Sequence, residues 1–332
     1  MERLFKRFGR AAKTENPMVS AFFERHEIRC PGCRSGSDAA SMPPLQFVAC
    51  PSCGATLFSP LQLKDFLLVE PAGAGGLASV YKAFRLGAVG ELFAVKVLRD
   101  EIKDDPVSEE AFFAEARIHS LIPDHPNLVH YIDSGIEGPY AFYAMNYVTG
   151  EPLMRRVESH GRIAEPKALY ILERALDVME HIVAEGFLYR DVNAGNVILC
   201  DDDEPMLLDF GLTLPLEVVK RPQGKVKQVD GTPEFLPPER LYGTGEDERS
   251  TIYSLGLLTY YMLAGESMMK GRSSKSMAHK HVAKLRISHV SIPDDVSNAA
   301  MEMVNRMVAQ KPEDRYPSFR AAHEAVQALL QP

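Results

Sequence analysis

The segment YRDVNAGNV at residues 189–197, followed by the triplet DFG at residues 209–211, decides how this sequence is interpreted. Asp209 lies thirteen residues after Asn196, and short apolar runs that predict strands fill the interval. Without further context, Asp191, Asn196 and Asp209 are explained equally well as residues that only cap turns. Their interpretation therefore depends on what precedes and follows them in the chain.

Upstream, the sequence GAGGLASVYKA at residues 73–83 reads as a glycine-rich turn between two strands. Glycines allow backbone N–H groups to approach phosphate oxygens closely, and Val80 would cover an adenine ring. The residues that form this turn are Gly73, Ala74, Gly75 and Gly76. A plain β-hairpin explains the turn equally well, so this signal needs support.

That support comes from a lysine in an apolar strand. The sequence FAVK at residues 93–96 places Lys96, preceded by Ala94, in a buried position that is costly unless a carboxylate and phosphates pair with the ammonium. Glu115, on a helix predicted over residues 107–120, is the natural partner.

With these pieces in order, the chain resembles a eukaryotic-type (Hanks-type) protein kinase domain over residues 61–332. The match continues through HPNLV at 125–129, MNYV at 145–148, GTPEFLPPE at 231–239, RSTIYSLG at 249–256 and PEDR at 312–315. The resemblance implies an α+β fold with a small β-rich lobe at 61–145, a hinge at 146–150 and a large α-helical lobe at 151–332. It also implies an ATP-dependent serine/threonine protein kinase that acts on a protein substrate.

The resemblance assigns the site residues. Asp209 and Asn196 would hold magnesium, Lys96 would contact the α- and β-phosphates of ATP while Glu115 orients it, and Asp191 would accept the proton of the attacking hydroxyl. Adenine would meet backbone groups of Asn146 and Val148, with Met145 as the gatekeeper side chain. Glu239 and Arg315 would form a structural ion pair.

Four positions depart from the family pattern: Ala78 replaces a loop glycine, Tyr189 a histidine, Thr251 an aspartate and Asn193 the catalytic-loop lysine. Since Asn193 brings no charge to the γ-phosphate, we expect a slow enzyme. Residues 214–231 contain no Ser, Thr or Tyr, so we also expect activity without phosphorylation of this part of the activation segment.

The first sixty residues have a different character. Residues 1–25 form a basic tail whose apolar residues recur at helical spacing; it could contact a membrane surface or a partner, or pack on its own protein. Residues 26–60 resemble a zinc ribbon, because Cys30, Cys33, Cys50 and Cys53 form two CxxC pairs separated by sixteen residues. Iron is an alternative metal, and unligated or redox-active cysteines are an alternative to a metal site. Cys200 lies in an apolar run and is interpreted as a buried side chain.

Composition excludes several classes of function. The 332 residues carry a formal charge of −8, which argues against nucleic acid as a partner. No apolar stretch is long enough to span a bilayer and no secretory signal is found, so a cytoplasmic location is expected. Two other functions remain open: a nucleotide-binding pseudokinase or scaffold that signals through its zinc ribbon, and a small-molecule phosphotransferase.

Overall fold

The computed structural model describes residues 22, 24–88, 90–222, 224, 229–268 and 295–331. Two compact units make up the chain. The first combines Met1–Ser120 with Val129–Thr149, and the second combines Leu121–Leu128 with Gly150–Pro332. The predicted helix in the basic tail falls on residues outside those that the structure describes.

The four-cysteine segment of the first unit consists of two small β-hairpins. Strand β1 (Glu27–Arg29) pairs with β2 (Gly36–Asp38), and β3 (Phe47–Ala49) pairs with β4 (Thr56–Phe58). Strand β3 leads directly into the second cysteine pair. The small core of this segment contains Phe22, Ile28, Cys30, Cys50, Leu57 and Leu67. Because Leu67 belongs to the next strand system, the segment is not packed on its own side chains alone.

An antiparallel sheet of six strands follows, in the order β5-β6-β7-β8-β10-β9. Its strands are β5 (Leu61–Leu63), β6 (Phe66–Ala74), β7 (Ala78–Arg85), β8 (Phe93–Leu98), β9 (Tyr131–Glu137) and β10 (Tyr140–Asn146). All six residues of β8 are buried, which explains its continuous apolar sequence around Lys96. Helix α1 (Pro106–Leu121) lies where the sequence predicts one.

The second unit is mainly helical. Its strands are β11 (Glu151–Pro152), β12 (Phe187–Leu188), β13 (Val197–Leu199), β14 (Pro205–Leu207) and β15 (Leu214–Pro215). Within the described residues its helices are α2 (Leu153–His160), α3 (Glu165–Ala184), α4 (Leu216–Val219), α5 (Pro238–Tyr242), α6 (Glu248–Ala264), α7 (Asn298–Met307) and α8 (Phe319–Leu330). A β-rich unit and an α-helical unit in this order confirm the predicted α+β class.

Helix α6 forms the centre of this unit, with fourteen of its residues buried. Asp247 begins the helix with a reciprocal capping box to Ser250, and Gly265 ends it in the left-handed conformation at φ 75°. Because this helix is buried on every face, the loops that pack against it are held in place. Within the described ranges, none of the helices has the length and apolar character needed to cross a membrane.

Candidate active site

In the first unit, Lys96 on β8 and Glu115 on α1 form a buried ion pair. Lys96 Nζ lies 2.6 Å from Glu115 Oε1, and both side chains are about nine-tenths buried (11% and 10% exposed). The hydroxyl of Tyr143, the residue paired with Lys96 across β8 and β10, donates to the same carboxylate oxygen at 2.5 Å. Two donors therefore compensate the desolvation of Glu115, and the pair fixes α1 against the sheet.

The glycine-rich turn joins β6 to β7, and Gly75 N–H donates to Ala78 O at 2.8 Å. Gly73, Gly75 and Gly76 all lack a positive φ. A Cβ added at Gly73 or Gly76 would meet open space, and one at Gly75 would come no closer than 3.8 Å to another atom. The fold itself thus does not require glycine at these positions. This favours a requirement set by a ligand that approaches the backbone.

The strands next to this turn carry the other residues that are predicted to contact the nucleotide. Val80 pairs with Lys96 across β7 and β8, and Met145 pairs with Ala94 across β10 and β8. Asn146 N–H donates to His130 O at 3.1 Å. This bond occupies the backbone N–H of Asn146.

In the second unit, Asp191 lies within a network of hydrogen bonds. Asn196 Nδ2 donates to both the carbonyl and the Oδ2 of Asp191, each at 3.0 Å, and the hydroxyl of Thr232 donates to its Oδ1 at 3.3 Å. Asn193 serves the same loop as an N-cap, since its side-chain oxygen accepts from Gly195 N at 2.9 Å and Asn196 N at 3.2 Å. The loop is thus preorganised by its own amides.

Asp209 adopts a backbone conformation that is uncommon for residues other than glycine. Its φ is 60°, in the left-handed region, and its Oδ1 accepts from Gly211 N at 3.0 Å. Strain of this kind persists only where surrounding structure enforces it, and it concentrates at functional sites. The motif at 209–211 therefore forms a turn with a defined conformation.

Two of the departures from the family pattern have structural explanations. The hydroxyl of Tyr189 donates to Leu208 O at 2.5 Å, next to Asp209, and its ring meets Phe210 edge to face at 6.1 Å. Thr251 on α6 donates to Tyr189 O at 2.7 Å. Together these contacts connect the loop at 189–197, the turn at 209–211 and the central helix with uncharged groups.

A family model described as the protein kinase domain matches residues 66–329. The chain belongs to the protein kinase family. This agrees with the ordered motifs and with the paired side chains of each unit.

Similar curated proteins are bacterial serine/threonine-protein kinases. Pkn1 of Myxococcus xanthus is 31% identical over 270 residues, which cover 80% of this chain and 38% of that protein. PknA of Mycobacterium tuberculosis is 28% identical over 284 residues, 84% of this chain and 63% of its own length. PknB of Mycolicibacterium smegmatis is 30% identical over 263 residues, 78% and 42% of the respective chains. This kinase thus spans less than two thirds of the length of each.

The structural ion pair of the kinase is present as the resemblance implied. Arg315 Nη2 lies 2.7 Å from Glu239 Oε1, and the Arg315 side chain is wholly buried. Sequence reasoning did not find Tyr143, nor a carboxylate at Glu246 that binds Arg190. Tyr143 and Glu246 lie far from their partners in the sequence, so no local sequence pattern predicts these contacts.

The four N-terminal cysteines of the kinase come together. Their four sulfur atoms lie within 4.8 Å of one another, with Cys30 and Cys53 at 3.6 Å and Cys33 and Cys50 at 3.8 Å. A tetrahedral zinc with Zn–S bonds of about 2.3 Å separates its sulfurs by about 3.8 Å, so the spacing fits that ion. Gly54 follows the second pair at φ 74°, a conformation that glycine adopts without strain. Cys200 is buried elsewhere.

Proposed function

We propose that this kinase transfers the γ-phosphoryl group of ATP to a serine or threonine hydroxyl of a protein substrate. The observation that carries the proposal is the catalytic loop, where Asn196 and Thr232 hold the carboxylate of Asp191 from both sides. A carboxylate held in this way can accept a hydroxyl proton with little reorganisation. The names of the similar bacterial kinases support serine or threonine as the acceptor.

In the proposed reaction, the substrate oxygen forms a bond to the γ-phosphorus as the bond from that phosphorus to the β–γ bridging oxygen breaks. The hydroxyl proton passes to Asp191, and ADP leaves. Lys96, held by Glu115, contacts the α- and β-phosphates, while backbone N–H groups of residues 73–76 cover the triphosphate. Met145, Val80 and Ala94 contact the adenine, with Asn146 and Val148 supplying backbone hydrogen bonds.

Asp209 and Asn196 are the residues that we propose to hold magnesium. A carboxylate and an amide oxygen form the hard oxygen donor set that this ion prefers. Asn196 uses its Nδ2 in hydrogen bonds to Asp191, so its ligand atom is the side-chain oxygen. Bound there, magnesium would neutralise charge on the phosphates.

We also propose that Cys30, Cys33, Cys50 and Cys53 hold one zinc ion as a zinc ribbon. The sulfur spacing supports this, as does the small size of the surrounding core. In this role zinc is structural, and its four thiolate ligands leave no position for a substrate. The zinc ribbon is the segment that we propose as a docking site for a partner.

The proposed function is tested by transfer of radiolabelled phosphate from ATP to a panel of serine, threonine and tyrosine peptides. We expect transfer to serine or threonine with wild type, and loss of about a thousandfold in rate with Asp209→Ala, because the metal ligand is removed. Thermal stabilisation by ATP and magnesium, measured in parallel, reports binding alone. Binding without transfer would favour the pseudokinase. If small-molecule alcohols are added as acceptors, transfer to them and to no peptide would favour the phosphotransferase. If the protein shows no binding of ATP and no transfer of phosphate, all three functions are rejected.

A further inference from the structure

One buried carboxylate, that of Glu246, is shared by two arginines of the second unit. Arg190, the residue directly before Asp191, places Nη2 at 2.5 Å and Nε at 3.1 Å from Glu246 Oε1. Arg240 on α5 places Nη2 at 2.7 Å and Nε at 3.0 Å from Oε2. Each of the three side chains is less than a tenth exposed. The sequence alone gave no indication of this cluster.

The cluster also holds backbone segments on both sides of the catalytic loop. Arg240 donates from Nη2 to Arg190 O at 2.9 Å, and from Nη1 to Asp230 O at 3.3 Å. Glu246 N–H donates to Val219 O, the last residue of α4, at 2.8 Å. Glu246 therefore connects the catalytic loop with both described ends of the activation segment.

The neighbouring Gly245 shows how closely these segments approach. Its φ is 93°, and a Cβ there would lie 2.6 Å from Lys220 O. Any other residue at this position would push the Glu246 segment away from α4. The close approach is thus built into the backbone and does not depend on the ion pairs alone.

The charge of Glu246 is maintained in this setting. Burial by itself would raise the pKa of the Glu246 carboxyl, but Arg240 and Arg190 outweigh this effect and hold it below its usual range. Two guanidinium groups thus face one carboxylate, and the carboxylate of Asp191 adds a favourable interaction with Arg240. Removal of the Glu246 charge would leave two buried cations side by side.

We propose that Glu246 is a positioning residue that fixes Arg190 and the catalytic loop, in the place where other kinases use a phosphate on the activation segment. The inference rests on the proposed function, since it concerns the same catalytic loop. It accounts for the presence of Arg190, a residue that in other kinases can pair with a phosphate on the activation segment, although residues 214–231 here contain no hydroxyl group to carry one. A carboxylate supplied by the chain makes the arrangement permanent rather than switchable.

The first test compares Glu246→Gln, which removes the charge but keeps the shape, with Glu217→Gln, the same change at an exposed residue of α4. We expect Glu246→Gln to lower kcat by about tenfold or more with KM for ATP nearly unchanged, because the catalytic loop loses its orientation. Glu246→Asp, which keeps the charge, should recover part of the loss. Wild-type kcat in Glu246→Gln would overturn the proposal.

A second comparison covers the case in which Glu246→Gln does not fold. The double variant R190Q/E246Q has the same net charge in the cluster as wild type, so it should fold while its kcat stays low. Arg190→Gln alone keeps the Arg240–Glu246 pair and should also lose kcat. Full activity in folded Arg190→Gln would contradict the proposed role. Loss of activity after phosphatase removes phosphate from Thr213 or Thr232 of wild type would contradict it as well.

A third measurement does not depend on catalysis. Hydrogen exchange of peptides that cover residues 186–196 and 214–220 should be faster in R190Q/E246Q than in wild type, and unchanged in Glu217→Gln. If wild type proves inactive on every substrate, the proposed function fails, and this exchange pattern alone decides whether Glu246 holds the loop. Equal exchange in the double variant and wild type would reject the inference.

Discussion

Asn193 uses its side chain within the catalytic loop, where a protein kinase of this type commonly has a lysine. Its amide oxygen accepts two backbone hydrogen bonds, and its Nδ2 donates to Asp191 O at 3.2 Å. The residue is nearly buried, at 9% exposure. Asn193 therefore stabilises the loop and supplies no charge to a phosphate.

We predict that Asn193→Lys raises kcat at least several-fold with little change in KM for ATP. A preorganised cation beside the γ-phosphate contributes on the order of 2 to 4 kcal/mol in the transition state, more than the loss of an N-cap costs. Asn193→Met is the matched control, because it removes the cap and adds no charge. It should lower the Tm by roughly 2 to 4 °C and leave kcat no higher than wild type. Equal kcat in the two variants would mean that charge at this position does not limit the rate.

Several individual contacts were predicted from the sequence, and others could not be. The pairs Lys96–Glu115 and Glu239–Arg315 are both present. They could be predicted because each joins residues of motifs that the family resemblance identifies. The Tyr143 hydroxyl and the Glu246 carboxylate reach their partners across tertiary contacts. No periodicity or turn signal in the chain encodes such a meeting of distant residues.

Among the elements, helices α3 and α8 are joined by a histidine between two carboxylates. His323 Nδ1 lies 2.6 Å from Glu180 Oε1, and its Nε2 lies 2.9 Å from Glu173 Oε1. Burial would lower the pKa of His323, but the hydrogen bonds to Glu173 and Glu180 outweigh it and raise the pKa above the usual value. When it is protonated, His323 therefore bridges the two helices with a hydrogen bond to each carboxylate.

This bridge predicts a pH-dependent stability. Because the folded-state pKa of His323 is raised, its contribution is fully present below the unfolded pKa, about 6.5, and is lost as pH rises through the folded value. We expect His323→Gln to lower the Tm by a few degrees at pH 6 and by clearly less at pH 9. The control His160→Gln, at an exposed position, should show no such trend. A constant difference at both pH values would exclude the charged bridge.

Element boundaries followed from local signals where those signals were strong. The helix predicted over 107–120 spans Pro106–Leu121, and the interval predicted to hold strands before Asp209 contains β13 and β14. Tyr189 and Thr251 were recognised as departures, but their hydrogen bonds were not foreseen. Those bonds depend on how α6 packs against the catalytic loop, which periodicity does not specify.

For the whole molecule, the zinc proposal gives a direct prediction. Purified wild-type protein should contain about one zinc per chain, and Cys33→Ser should contain much less, because a structural site needs all four thiolates. Cys200→Ser is the matched control, since this cysteine lies outside the cluster, and it should retain the metal. Elemental analysis measures both. A wild-type content below about half an ion, or iron in place of zinc, would contradict the prediction.

Chelation should unfold the zinc ribbon first, because metal binding supplies most of the folding free energy of so small a core. Composition and cysteine spacing predicted a four-cysteine site in this segment, and the four sulfur atoms do lie together. They did not predict that its core would include Leu67 of β6. That contact follows from the alternation of side chains along one strand, which becomes visible only when both faces of the strand are known.

The two faces of β6 have a practical consequence for anyone who wishes to shorten this protein. Phe66 and Leu68 belong to the core of the six-stranded sheet, whereas Leu67 between them belongs to the core of the cysteine hairpins. A chain cut at residue 66, where the family match begins, would lose β5 and expose Leu67 to water. The same strand continues into the glycine-rich turn at its far end. The smallest piece that keeps this turn in its native setting must therefore include the hairpins.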